Sequence, residues 1–191
     1  MVTGVPDSMR VVGEVDFIDD ASTQGELVRV SLAVLGVGAA AVALAVLCGA
    51  LPAGEVARVG APWWLVAVGA ASVVALPVHE LVHGALFRFM GGPGTRVRFG
   101  AAQGMLFASC PGLVLPRRRF CVVLAGPAVL VTALAAVAPA AAGMPLLGLA
   151  CAVIHLSGCS GDLMALARAL SARGCTHCQD TPTGVRMLAA A

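Results

Sequence analysis

The stretch PWWLVAVGAASVVALPVHELVHGALFRF, residues 62–89, decides the fold. It is apolar as far as Pro77 and meets its first charged group at Glu80, inside Pro77-Val-His79-Glu80-Leu-Val-His83-Gly84. A bilayer core about 30 Å thick is crossed by ~20 apolar residues of helix. The stretch therefore predicts a somewhat long spanning helix that tilts or lets its last turns emerge at the interface. An acid at that depth costs roughly 2.5–3.5 kcal/mol on insertion scales, so it faces a bundle interior and serves function.

The rest of the chain reads the same way. Of 191 residues, 59% are hydrophobic and 12% charged, with a mean hydropathy of +0.94. Soluble domains carry about 25% charged residues, and this chain lacks the polar side chains to cover a water-soluble core. Twelve basic residues, all Arg, against ten acids leave a formal charge of +2. That balance excludes a nucleic-acid binder, which needs a basic stripe. Seven cysteines make no disulfide framework. Cys48, Cys121, Cys151 and Cys159 lie in apolar runs, where the thiol behaves as a small hydrophobe.

Four stretches reach spanning length, residues 30–51, 62–89, 120–142 and 145–166. The expected fold class is an all-α integral membrane protein with four transmembrane helices. The first span follows an acidic arm (Glu14, Asp16, Asp19, Asp20, Glu26) and not the basic start of a cleaved signal, so it is expected to stay as an anchor. Arg58 alone falls in a loop on one side, and the other eleven Arg residues collect on the opposite side. Basic residues are retained in the cytoplasm, which predicts a multi-pass protein of the cell membrane with both termini cytoplasmic. Trp63 and Trp64 then lie at the outer interface, and residues 140–144 form a tight outer hairpin.

Residues 91–119 differ in kind. They open with Gly-Gly-Pro-Gly and contain an uncharged run from Gly100 to Leu115 that is broken by Gly104, Pro111 and Gly112. The run is short and poor for a helix. It reads as a short β-hairpin or a re-entrant segment between helices 2 and 3, or as an apolar loop packed on the bundle; periodicity does not separate these.

The chemistry lies in His79-Glu80-Leu-Val-His83, an HExxH pattern. Residues four apart on a helix share a face, so two imidazoles can grip one ion, and the intervening acid can take a proton from a water there. Zinc suits such nitrogen donors and brings the pKa of its water to about 7. A catalytic zinc keeps three protein ligands and one open position. Outside the motif the spans offer Asp162 and His155. On straight inward-running helices Asp162 shares the depth of the His pair, whereas His155, seven residues earlier, lies ~10 Å farther out. Asp162 is the preferred third ligand. His155 is left as a satisfied core histidine or as a group hydrogen-bonded behind a ligand. Pro77 removes a helical hydrogen bond close to the motif, and Gly84 permits close packing.

Taken together, His79-Glu80-Leu-Val-His83-Gly84, the entry Pro116-Arg-Arg-Arg-Phe120 and Ser160-Gly161-Asp162 resemble the small integral membrane proteins of the Putative zincin peptidase family. More distantly they are similar to site-2-protease-type intramembrane metalloproteases. The resemblance implies His79, His83 and Asp162 as metal ligands for Zn2+, Glu80 as the catalytic base, and hydrolysis of a peptide bond near the cytoplasmic membrane face. It implies a membrane-embedded metalloprotease-like domain over 30–170, between a cytoplasmic arm (1–29) and a cytoplasmic tail (171–191). The expected partners are membrane lipid and a peptide or membrane-protein substrate. A divalent-metal transporter or sensor, and a non-catalytic membrane scaffold, are the alternatives. In the tail, Cys175-Thr-His177-Cys178 is half a zinc knuckle at most, and an exposed, reduced tail is the simpler expectation.

Overall fold

The computed structural model describes residues 4–102 and 104–191. Its elements are β1 (Met9–Asp16), α1 (Ala21–Leu47), α2 (Glu55–Val59), α3 (Ala61–Gly91), β2 (Arg98–Ala102), β3 (Met105–Ser109) and β4 (Val114–Pro116). They continue with α4 (Arg117–Ala141), α5 (Pro145–Gly158), α6 (Ser160–Ser171), β5 (His177–Asp180) and β6 (Gly184–Ala190). Among the described residues α1, α3 and α4 are each long and apolar enough to cross a membrane, and α5 with α6 passes the same test as a pair. Val37, Leu47, Val73, Val74, Leu130 and Val137 are exposed on these helices, which is where a bilayer acts as solvent. This is a membrane protein, mostly helical, with antiparallel strands added to it.

The chain forms two compact units, and α3 and α4 contribute residues to both. One comprises residues up to 27, 80–127 and 161–191. Its sheet has the order β1-β6-β5-β4 with every neighbouring pair antiparallel. Val15 lies opposite Val185, and Cys178 lies opposite both Met187 and Leu115. These residues are buried with Phe87, Phe120 and Met164 in one hydrophobic cluster. Phe120 is wholly buried and meets the Phe87 ring edge-on at 6.1 Å; burying a Phe side chain contributes ~2–3 kcal/mol. At Gly184 a Cβ would run into the Val15 carbonyl, so only glycine lets β6 lie this close to β1. Asp20 starts α1 by accepting the Ser22 N–H at 2.9 Å, a side-chain N-cap. Hydrogen bonds from Thr23 and Ser22 hold its carboxyl down at about 2.

The segment for which three readings stood open is a hairpin. β2 pairs with β3 from Arg98↔Ser109 to Ala102↔Met105, and Gly104 adopts φ +78° at the turn. No re-entrant helix forms among the described residues there. The all-α expectation is corrected further by the termini. The arm and the tail, expected as separate polar tails, supply β1, β5 and β6, and β1 pairs with β6 along nearly its whole length.

The other unit comprises residues 28–79 and 128–160. Its loop side is organised by Glu55, only 1% exposed, whose carboxylate accepts the N–H groups of Leu146 and Leu147, each at 2.9 Å, and Trp64 Nε1–H at 3.1 Å. The charge sits at the N-terminus of α5, where unpaired N–H groups and the helix dipole favour it. Burial works against that charge, but the Trp64 and backbone N–H groups outweigh it and hold the carboxyl below its ordinary range. Arg58 donates to the Gly143 carbonyl at 2.8 Å and so fastens the tight loop before α5. At Gly148 a Cβ would collide with the Ala136 carbonyl, so glycine permits backbone-close packing of α5 on α4.

Candidate metal centre

Local sequence explains why α3 presents the motif. Its apolar residues suit a membrane-spanning helix, and the helix continues through Pro77 to Gly91. His79 and His83 thus lie one turn apart on a continuous helix, with Glu80 beside the first. His79 and Glu80 are half-buried, and His83 is buried.

Within the first unit, His83 Nε2 lies 3.1 Å from Asp162 Oδ1. Two donors at 2.0–2.2 Å from one tetrahedral ion stand about 3.4 Å apart, so the pair is spaced for a shared metal as well as for an ion pair. Asp162 lies in the first turn of α6, where the helix dipole favours a carboxylate. Beside His83, Gly84 leaves the room that the Phe99 ring of β2 fills: a Cβ there would meet Phe99 Cζ at 2.6 Å. The hairpin therefore packs onto the motif helix immediately next to a candidate ligand.

Within the second unit, His79 Nδ1 lies 3.2 Å from His155 Nε2, and His155 Nδ1 lies 2.8 Å from Thr132 Oγ1. Cys159 Sγ is 3.8 Å from His79 Nδ1. His155, expected as a satisfied core histidine or as a group hydrogen-bonded behind a ligand, has a neighbour at each ring nitrogen and lies beside His79. The straight-helix depth estimate is corrected here, because the fourth stretch is not one helix. It breaks at Cys159, whose N–H reaches back to the carbonyls of His155 and Leu156, between two poor helix formers, Gly158 and Gly161. Thr132 and Cys159 were missed from sequence. The four-residue interval between His155 and Cys159 was the available signal for the thiol.

The tail also differs from its expectation. Cys175 and Cys178 are 5% and 0% exposed, with sulfurs 3.9 Å apart, and Cys175 donates to the His177 carbonyl. Burial pushes the Cys178 thiol well above its ordinary range. His177 turns to Thr176 Oγ1 at 3.0 Å. Among the described residues no third ligand atom joins the two sulfurs. Sequence reading also passed over Asp180, which is buried and accepts from Ser109 Oγ at 2.9 Å and the Cys110 N–H at 2.7 Å.

Neither curated proteins nor solved structures offered a match to the chain. A family profile described as "Putative zincin peptidase" matches residues 72–176. That span is more than half of the chain and takes in the HExxH motif, the hairpin, the Arg-rich entry of α4 and Asp162. A zincin family implies a metal, typically zinc, and a hydrolytic role. The chain belongs to the Putative zincin peptidase family.

Proposed function

We propose that the protein is a zinc-dependent, membrane-embedded metallopeptidase that hydrolyses a peptide bond near the cytoplasmic face. The observation that carries this reading is the placement of Asp162 Oδ1 3.1 Å from His83 Nε2 of the HExxH motif. The donor chemistry fits zinc: two imidazoles one turn apart and one carboxylate, leaving a fourth position open. His79, His83 and Asp162 would hold the ion. When bound, it polarises the scissile carbonyl and acidifies the attacking water.

The remaining chemistry belongs to the chain. Glu80, adjacent to His79, takes the proton from the attacking water and delivers it to the leaving amine. The apolar helices limit the water around the site, which strengthens each electrostatic contact there. Phe99, seated against Gly84, keeps the hairpin beside the reacting groups. Counting α5 with α6 as one crossing gives four spans. Eleven of the twelve Arg residues then fall on one side, which supports a reading with both termini and the C-terminal ends of α3 and α6 in the cytoplasm.

Substitution of Asp162 tests the reading. In proteoliposomes, Asp162→Ala should weaken zinc binding and abolish cleavage of a transmembrane test peptide. An Asp162→Ala protein that keeps wild-type zinc affinity and cleavage would remove Asp162 from the centre.

A further inference from the structure

His79 Nδ1 stands 3.2 Å from His155 Nε2, and His155 Nδ1 stands 2.8 Å from Thr132 Oγ1. Side chains of α3, α5 and α4 thus form one chain of hydrogen bonds within the second unit. The two ring centroids are 5.3 Å apart and the planes are tilted by 55°, so the imidazoles meet through their nitrogen-bearing edges and do not stack. Such a chain can run in two polarities, and only one suits a metal ligand. We propose that His155 is a positioning residue for His79: its Nε2 accepts the His79 Nδ1–H, its own Nδ1–H is donated to Thr132 Oγ1, and this polarity puts the lone pair of His79 on Nε2.

The polarity follows from what each group can carry. A neutral imidazole has one N–H and one lone-pair nitrogen. If His155 donated Nε2–H to His79 Nδ1, the His79 proton would lie on Nε2, and neither nitrogen of that ring would be left for an ion. In the assigned polarity each ring donates once and accepts once along the chain. Thr132, inside α4, can end it as an acceptor, because a helical threonine can pass its own hydroxyl proton to a carbonyl one turn back. His155 is 9% exposed, so water competes little for its two nitrogens. Cys159 Sγ lies farther from His79 Nδ1, at 3.8 Å, and donates to the His155 carbonyl at 3.2 Å; sulfur is a weak acceptor, so the His155 nitrogen takes the His79 proton.

The inference rests on the reading of His79 as a metal ligand and adds what orients it. A ligating histidine characteristically donates its other ring N–H to a carboxylate, a backbone carbonyl or a water, which fixes tautomer and ring orientation. Here the acceptor is a second imidazole. Being neutral, it adds no charge to the apolar interior, and being held at both nitrogens, it sets the His79 ring before any ion arrives.

Nitrogen-15 spectra of the histidine-labelled, chelator-treated full-length protein in detergent at pH 8 read the tautomers directly, because protonated and lone-pair ring nitrogens resonate far apart. The chain has only four histidines, and His79→Gln and His155→Gln assign the two rings by removing one each. Both rings should carry their proton on Nδ1; an Nε2–H tautomer at either ring overturns the proposal. Zinc titration gives a second readout. His155→Leu, which fills the space without an acceptor, should bind zinc about 10–100-fold more weakly than wild type. His155→Gln, whose amide oxygen can take the place of Nε2, should recover part of that loss. Wild-type affinity in a His155→Leu protein with an unchanged elution profile overturns the proposal, and where that variant does not fold the wild-type spectra decide. Zinc-dependent cleavage by a protein whose His79 carries Nε2–H sinks the positioning role and leaves the peptidase reading standing. Nδ1–H at both rings in a protein that binds no zinc supports the polarity and counts against the peptidase reading alone.

Discussion

The Asp180 carboxylate accepts the backbone N–H of Cys110 at 2.7 Å, tying strand β5 of the tail to the residue after the hairpin. Ser109 Oγ donates to the same oxygen at 2.9 Å. Burial nevertheless dominates and raises this carboxyl from 3.8 to about 6, against the lowering effect of those two bonds. The folded state therefore binds the proton more tightly than the unfolded chain. Stability from this group is fully present below about pH 4 and falls as pH rises to about 6, by ~3 kcal/mol at 1.36 kcal/mol per tenfold. Asp180→Asn should remove that slope: the difference in melting temperature between wild type and variant, followed from pH 4 to 7, should grow in favour of the variant. A constant difference would show that Asp180 does not titrate in this range.

Glu55 makes the opposite prediction. Its carboxyl is held below the ordinary range despite burial, so its contribution is present above the unfolded pKa and is lost as pH falls through the lower folded value. Glu55→Ala strands the Leu146 and Leu147 N–H groups at the start of α5 and should cost ~2–3 kcal/mol at neutral pH. Glu55→Gln retains a carbonyl acceptor and should cost less. Thermal unfolding in detergent at pH 7 ranks the three proteins; equal melting points would refute the cap.

What was legible in the sequence was local or chemically rare. The hairpin showed in the glycines and prolines that spoil Gly100–Leu115 as a helix, and the motif stood out because acids are costly in a span. Asp162 could be paired with His83 because few other ligands lay in the spans. The sheet was not legible, because β1 pairs with β6 across some 170 residues of sequence, and β6, buried on nearly every residue, carries no alternation to mark it as a strand. The break at Cys159 was missed because residues 145–166 read as one stretch of spanning length. One continuous helix then placed His155 too far from His79.

The sheet itself is open to test at Gly184. A Cβ there meets the Val15 backbone carbonyl, which unlike a side chain cannot rotate away. Gly184→Ala should cost ~1–3 kcal/mol and speed amide hydrogen exchange across Met9–Asp16. Unaltered protection of that strand would contradict the observed pairing.

Topology can be read with the native thiols. Cys48, directly after α1, is the one exposed cysteine, and the other six are buried or half-buried. With cytoplasmic termini, Cys48 faces outward, so a membrane-impermeant maleimide should label intact cells and Cys48→Ser should abolish that label. Labelling of Cys48 only after permeabilisation would invert the orientation.

The central claim is that Glu80 moves the proton in a metal-dependent peptide hydrolysis. The most direct measurement is cleavage of a transmembrane peptide by purified wild type and Glu80→Gln in proteoliposomes, with bound zinc quantified in the same samples. The account predicts cleavage by wild type that a chelator stops, and at least a hundredfold loss in Glu80→Gln at unchanged zinc content. Chelator-sensitive cleavage of undiminished rate in Glu80→Gln would contradict it.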